Sequence, residues 1–219
     1  MGPEAREAGD SALTRRKHRA PYGSVWTSPT RYNGPVARPR TPRRRWIDAG
    51  LDALATGGPG AVRIEPLAEA LGVTKGGFYW HFDDRGALLE ELLDTWEHTL
   101  VDEIIEQVEA EGGDARSRLR CLFALAGATE ARGLMRLELA IRDWARRDDS
   151  VGDRLRRVDN RRMDYMRSLF SAFCTDPDEV EARCLVSMAL FVGSQFVAAD
   201  HGTRSRSEIM DRALERLLV

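Results

Sequence analysis

Residues 63–82 read RIEPLAEALGVTKGGFYWHF, and no other stretch constrains the fold as tightly. Glu65 to Leu71 places Leu67, Ala68 and Leu71 at helical spacing, with Pro66 tolerated in the first turn. Gly72-Val73 ends this helix, and Thr74 stands where it caps a short third helix carrying Lys75 to His81. Two short helices joined across a tight glycine turn form a helix-turn-helix. Gly72 falls where the turn calls for a positive φ, a conformation cheap only for glycine. Ala68 is small where the helices approach, and Leu71, Val73 and Phe78 supply the plug between them.

The flanking sequence is helical as well. Thr41-Pro42 reads as the start of a first helix, with Thr as the cap and Pro at the first helical position. Trp46, Ala49, Gly50, Ala53 and Leu54 continue it, and Gly57-Gly58-Pro59-Gly60 stops it. A fourth helix opens at Asp84 and keeps one apolar stripe from Leu88 to Val108, until Gly112-Gly113 ends it. Further helices are predicted from the Asp114 cap, over about 134–146, over about 150–173, from Asp176-Pro177 to about Asp200, and from Ser205 or Ser207 to the C-terminus. Strand signals are absent. The expectation is an all-α chain of about nine helices.

Charge is unevenly distributed. The formal net charge is −2, yet residues 1–45 hold eleven basic and three acidic residues, whereas 46–219 hold 22 basic and 32 acidic. A basic front on an acidic body suggests nucleic-acid or membrane contact at one end. Residues 1–40 contain five of the nine prolines and no sustained periodicity, so they read as a disordered basic arm. TRRKHR at 14–19 and RPRTPRRR at 38–45 suit phosphate tracking; a solvated tail, or a start codon assigned too far upstream, remains the alternative. Arg43, Arg44 and Arg45 adjoin folded structure and are read as DNA contacts. No apolar run reaches the length of a membrane span and no signal peptide opens the chain, which predicts a cytoplasmic protein.

The third helix is laid out for a DNA groove. Thr74 offers a hydroxyl and helix N-terminal N–H groups to a phosphate, and Lys75 is placed to reach a base edge or phosphate. Gly76 and Gly77 remove bulk, by the alternative reading for close packing rather than groove approach. Tyr79 and His81 are expected to hydrogen-bond the DNA backbone, and Trp80 to pack on a sugar or a thymine methyl. Phe78 and Phe82 belong to the core.

At these residues the sequence resembles the tetracycline-repressor (TetR-like) family of transcription regulators. The resemblance rests on Trp46-Ile47-Asp48-Ala49, Leu67-Ala68, Leu71-Gly72-Val73-Thr74-Lys75-Gly76, Phe78-Tyr79-Trp80-His81-Phe82 and Leu88-Leu89, about 50 residues between 41 and 90. It implies a DNA-binding domain at 41–86 and a ligand-binding and dimerisation domain at 87–219. It also implies a homodimeric repressor of an inverted-repeat, double-stranded DNA operator, released by a small-molecule effector. The DNA-facing set is then Thr74, Lys75, Gly76, Gly77, Tyr79, Trp80 and His81, with Arg85 at the start of the fourth helix. The family usually has Ser or Thr where this chain has Arg63, which is expected to make a charged phosphate contact instead. It usually has a polar or acidic residue at the position of Pro66.

The C-terminal half says less. TetR-like pockets lie among the helices that carry Trp96, Phe123 and Trp144, which are the candidate ligand contacts. Arg136, Glu138, Arg142 and Asp143 read as a solvated or salt-bridged face. The helix over Val180 to Ala199 is apolar on more than one face, so Met188, Ala189, Val192 and Phe196, with Leu214 and Leu217 of the last helix, are the candidate dimer interface. Simple central burial is the alternative. Asp94 and His98 share a helix face without further metal ligands near in sequence, so no metal is expected. Cys121, Cys174 and Cys184 lack metal or redox spacing and read as small buried hydrophobes. No nucleophile, acid–base or nucleotide-binding constellation supports an enzyme, and no cofactor is implied. A TetR-like DNA binder without ligand control is the remaining alternative.

Overall fold

The computed structural model describes residues 41–127 and 131–219, so the arm expected over 1–40 lies outside the described residues. Among the described residues there is no strand, and nine helices follow in order. They are α1 (Arg43–Gly57), α2 (Ile64–Ala70), the 3₁₀ helix α3 (Lys75–Trp80), a long α4, α5 (Ala115–Gly127), α6 (Ala131–Ala145), α7 (Asp149–Phe170), α8 (Pro177–Gly193) and α9 (Arg206–Glu215). Helix α4 is α-helical over Arg85–Glu97, π-helical over His98–Glu103 and α-helical again over Ile104–Glu111. Single-turn π insertions of this kind shift the register of a side-chain stripe and are frequent at functional sites.

Most helix ends follow sequence chemistry. Asp84 accepts from the Ala87 N–H at 2.8 Å, Asp114 from Ser117 at 2.8 Å and Asp176 from Asp178 at 3.0 Å. Ser205 and Glu208 form a reciprocal capping box at α9. The first helix differs from expectation. Pro42 occupies the cap position and no side chain caps it; the Thr41 carbonyl instead accepts from His81. Thr74 holds the cap position of α3 through its backbone, since its side chain takes no capping bond. Helix α8 stops at Gly193, short of the expected Asp200, and the chain turns through Ser194 to Phe196, where Phe196 N–H reaches the Gly193 carbonyl at 3.0 Å.

Two apolar clusters organise the unit from Pro39 to Val219. The larger runs from Trp46, Leu54 and Phe78 through Leu92 and Trp96 of α4 to Ile141 of α6 and Val158 of α7. It crosses residue 86 without interruption, because α6 packs directly along α1. Gly50 makes room for α4: a Cβ there would lie 3.0 Å from Leu92 Cδ2. The second cluster gathers Leu119, Met166, Phe170, Val180 and Cys184 at the far end of α5, α7 and α8. Cys184 is buried as expected and its thiol is pushed up to about 11, by burial first and by Glu181 second. Cys121 and Cys174 are only half-buried, against expectation; Cys174 lies at the rim of this second cluster. No helix among the described residues is long and apolar enough to cross a membrane.

Candidate nucleic-acid interface and ligand cavity

Helix α3 is held by one residue from below. Phe78 is fully buried, with Trp46 edge-on at 5.4 Å and Phe82 stacked at 5.2 Å. Gly72 has φ +68 and no atom within 4 Å of where a Cβ would stand, so its role is conformational. The Val73 N–H closes the turn on the Ala68 carbonyl at 2.9 Å. The 3₁₀ geometry aligns residues three apart, so Gly76 leads Tyr79 and Gly77 leads Trp80 in adjacent rows. Tyr79 is 51% exposed and Trp80 68%, large apolar surfaces for a solvent-facing helix. Neither Gly76 nor Gly77 is required by packing within the protein: the nearest atoms to an added Cβ are Thr74 Oγ1 at 3.7 Å and Trp46 Cζ2 at 3.9 Å.

The cationic candidates divide. Lys75 is exposed, and its ammonium lies 2.5 Å from Glu65 Oε1 on α2. The Lys75 hydrogen bond, foremost, holds Glu65 below the usual carboxylate range, and the same bond raises Lys75. Arg44 pairs with Asp48 at 2.8 Å, and Arg45 and Arg63 are exposed. Arg43 lies over the Phe82 ring at 4.7 Å and its guanidinium binds the Glu91 carboxylate. It thereby links α1 to α4. Two of the expected DNA contacts also hold parts of the fold together. The Arg85 Nε–H donates to the Val62 carbonyl at 2.6 Å and a second guanidinium N–H to the Pro59 carbonyl, so this side chain ties α4 to the loop after α1. The half-buried His81 donates from Nε2 to the Thr41 carbonyl at 2.8 Å, an acceptor that fixes the ring with its proton on Nε2. Sequence reading missed Glu65 as the counter-charge of Lys75; their ten-residue separation bridges two helices and matches no single-helix spacing.

Between α4, α5, α6, α7 and α8 lies a cavity of about 420 Å³. Phe123 lines it. Trp96 and Trp144 do not: Trp96 is sealed in the larger core, and the Trp144 indole N–H reaches Asp148 at 3.3 Å at the end of α6. Both rings pack in or against the larger core, a choice that helix–helix packing makes. Glu138 is 0% exposed and accepts four hydrogen bonds: from Trp96 Nε1 at 3.0 Å, Arg142 Nε at 2.8 Å, and Arg162 NH1 and NH2 at 2.9 and 3.1 Å. Arg142 in turn grips Asp159 at 3.0 and 2.6 Å. Burial pushes the Glu138 carboxyl up, but Arg162, Arg142 and the Trp96 N–H outweigh it and hold the group below the usual range. Arg136 and Asp143 remain exposed, so the predicted charged face is split between solvent and interior.

Among the candidate interface residues, Phe196 is 72% exposed and Ala189 is exposed, whereas Met188 lines the cavity and Val192, Leu214 and Leu217 are half-buried. Leu217 packs into the second core cluster because the final 3₁₀ turn (Arg216–Leu218) folds back on it. Leu185, at 64%, and Val186 are exposed as well; with Ala182 and Ala189 they lie three to four residues apart along α8, and Phe196 stands exposed in the turn after it. Asp94 pairs with Arg154 and His98 with Asp102 at 3.2 Å, and no group of three metal-ligating residues occurs among the described residues.

Residues 47–92 match the family model described as bacterial regulatory proteins, tetR family. This stretch of the chain is similar to the tetR family of bacterial regulatory proteins. A curated relative, the uncharacterized HTH-type transcriptional regulator TtgW of Pseudomonas putida, is 33% identical over 65 residues, which are 30% of this chain and 48% of that protein. The chain thus spans about half the length of this relative. Two solved structures share the fold. A regulator from Saccharomonospora viridis in complex with choline superposes with a TM-score of 0.67 at 19% identity, covering 80% of this chain and 94% of that one. AibR, solved with isovaleryl coenzyme A and operator DNA, gives 0.62 at 14% identity, covering 80% and 97%.

Proposed function

We propose that this chain is a TetR-family transcriptional regulator that binds double-stranded operator DNA through α3, as a homodimer on an inverted repeat. A small molecule in the α4–α8 cavity relieves repression. The observation that carries the DNA-binding half is the exposed row of Lys75, Gly76, Tyr79 and Trp80 on a helix pinned from behind by Phe78. A lysine, a bulk-free step and two aromatic side chains suit phosphate contact and groove packing. Thr74, Arg44, Arg45 and Arg63, all exposed nearby, extend the same cationic and hydroxyl-bearing surface.

The dimer reading is supported by the apolar surface of α8 and the turn after it, where Leu185, Val186, Phe196 and Val197 stand exposed. Exposed apolar residues at helical spacing mark an association surface. The effector reading is supported by the cavity, whose volume falls among ordinary small-molecule sites. It also agrees with two proteins of the same fold that were solved with choline or with isovaleryl coenzyme A.

Fluorescence anisotropy with DNA from the region upstream of its own gene tests the reading. Binding to an inverted repeat is expected, weakened by Lys75→Ala and by Tyr79→Phe. Affinity unchanged in both variants overturns the assignment of α3, and a log–log salt slope near zero overturns a phosphate-dominated interface.

A further inference from the structure

The effector reading above leaves open what kind of molecule the cavity takes, and the polar groups around it restrict the answer. Its wall is mostly apolar, formed by side chains such as Leu100, Ile104, Phe123, Met135, Met166 and Phe191. Two ionised side chains reach it, Glu138 and Arg162. Both are engaged. Glu138 accepts four hydrogen bonds, and Arg162 gives two N–H groups to Glu138 and one of them also to Asp159 at 3.3 Å. The linked set holds Glu138 and Asp159 against Arg142 and Arg162, two negative and two positive charges. Its sum is zero.

The neutral polar groups are turned away too. Tyr165 donates its hydroxyl to Glu109 at 2.8 Å, and burial together with that carboxylate keeps the phenol protonated. Ser187 donates to the Arg183 carbonyl at 2.8 Å within its own helix. Gln107 stands at the exposed rim. A charged guest entering this space would lose its hydration and meet no uncompensated opposite charge. An anion would have to take Arg162 from Glu138, and a cation would have to take Glu138 from two arginines. Either exchange strands a buried charge, which is strongly unfavourable.

We propose that the cavity selects uncharged, predominantly apolar molecules, and that the charge-balanced Glu138–Arg162–Arg142–Asp159 set is the element that rejects charged ones. This rests on the reading of the cavity as the effector site. The size suits a chain of about ten carbons or two fused rings, given that ligands fill most of such a site.

The test uses the full chain, with N-phenyl-1-naphthylamine as a neutral fluorescent probe. The probe is displaced at neutral pH by three ligands of one chain length: decan-1-ol, decanoate and decyltrimethylammonium, all below their micellar concentrations. Decan-1-ol is expected to displace the probe at a concentration at least about tenfold lower than either charged analogue, the scale of one uncompensated polar burial. Ala126→Trp, which fills the cavity, is expected to abolish probe binding. Removing one negative charge leaves the set cationic, so Glu138→Gln and the less buried Asp159→Asn are each expected to narrow the gap between decanoate and decan-1-ol without narrowing that for decyltrimethylammonium. Either variant suffices if the other fails to fold.

Decanoate or decyltrimethylammonium binding as tightly as decan-1-ol overturns the proposed ligand class and leaves the cavity as an effector site. An unaltered decanoate gap in both folded charge variants overturns the role of the charge set. Probe fluorescence that Ala126→Trp does not change, with no displacement by any of the three, overturns this proposal together with the effector reading.

Discussion

Trp96 Nε1 donates to Glu138 Oε2 at 3.0 Å, and this bond joins the core beneath the helix-turn-helix to the wall of the cavity. Trp96 packs in the same cluster as Trp46 and Phe78, which position α3; Glu138 belongs to the polar set at the cavity. A ligand that displaces Glu138 therefore pulls on α4 through a single side-chain pair, close to the π-helical stretch His98–Glu103. A buried hydrogen bond to a charged acceptor contributes about 1.5–3 kcal/mol, enough to bias two arrangements of one helix.

The same carboxylate contributes to the loss of stability in acid. Its folded value lies below the ordinary glutamate value of 4.5, so the ionised form is the one that folding favours. The stabilisation is fully present above that value and is lost as pH falls through the depressed one. Thermal unfolding is therefore expected to be insensitive to this group near neutrality and to weaken progressively below about pH 4.5. Glu138→Gln should lower stability at neutral pH by about 3–5 kcal/mol, since it leaves buried arginine charge uncompensated, and flatten part of the acid slope. Melting curves across pH for both proteins check this.

Glu65 is expected to restrain DNA binding. Its carboxylate occupies the ammonium of Lys75 at 2.5 Å in the free protein and adds a negative charge beside the groove-facing surface. Glu65→Gln should raise operator affinity by up to about fivefold, the scale of an exposed ion pair, and leave the salt slope nearly unchanged. Lys75→Ala should reduce that slope by about one. Affinity titrations over a range of salt separate the two effects.

Gly72→Ala isolates the backbone of the turn. A Cβ there meets nothing within 4 Å, so sterics with neighbours contribute no cost, but φ +68 is unfavourable for alanine. The left-handed conformation costs about 1–2 kcal/mol, partly offset by the reduced freedom of the unfolded chain. Denaturant unfolding should show a net loss of about 1 kcal/mol, with operator affinity falling as the α2–α3 angle relaxes.

The apolar surface of α8 and of the turn after it is open to charge insertion. Leu185→Glu and Phe196→Glu each replace an exposed apolar side chain, so the fold should survive, with an unchanged helical spectrum. Light scattering is expected to give a dimer for the parent chain and a monomer for the double variant. A parent that scatters as a monomer removes the dimer reading.

Residue periodicity determined most of the helices, their caps at Asp84, Asp114, Asp176 and Ser205, and the turn at Gly72, because these depend on interactions within a few residues. It also located α3 and its outward aromatic pair, Tyr79 and Trp80. Tertiary structure decided which polar side chains face inward. Arg85 and His81 have the residue types of DNA contacts, yet the loop after α1 and the Thr41 carbonyl claim their donors. Trp96 and Trp144 have the residue type of pocket walls, yet the approach of α6 to α1 draws Trp96 into the core. Glu138 reads from sequence as part of a solvated or interhelical salt-bridged face; it is buried because Arg162, on another helix, arrives to neutralise it. Helical spacing sets which residues share a face, but the direction of that face follows from contacts between segments far apart in the chain, and those exist only once the helices have packed.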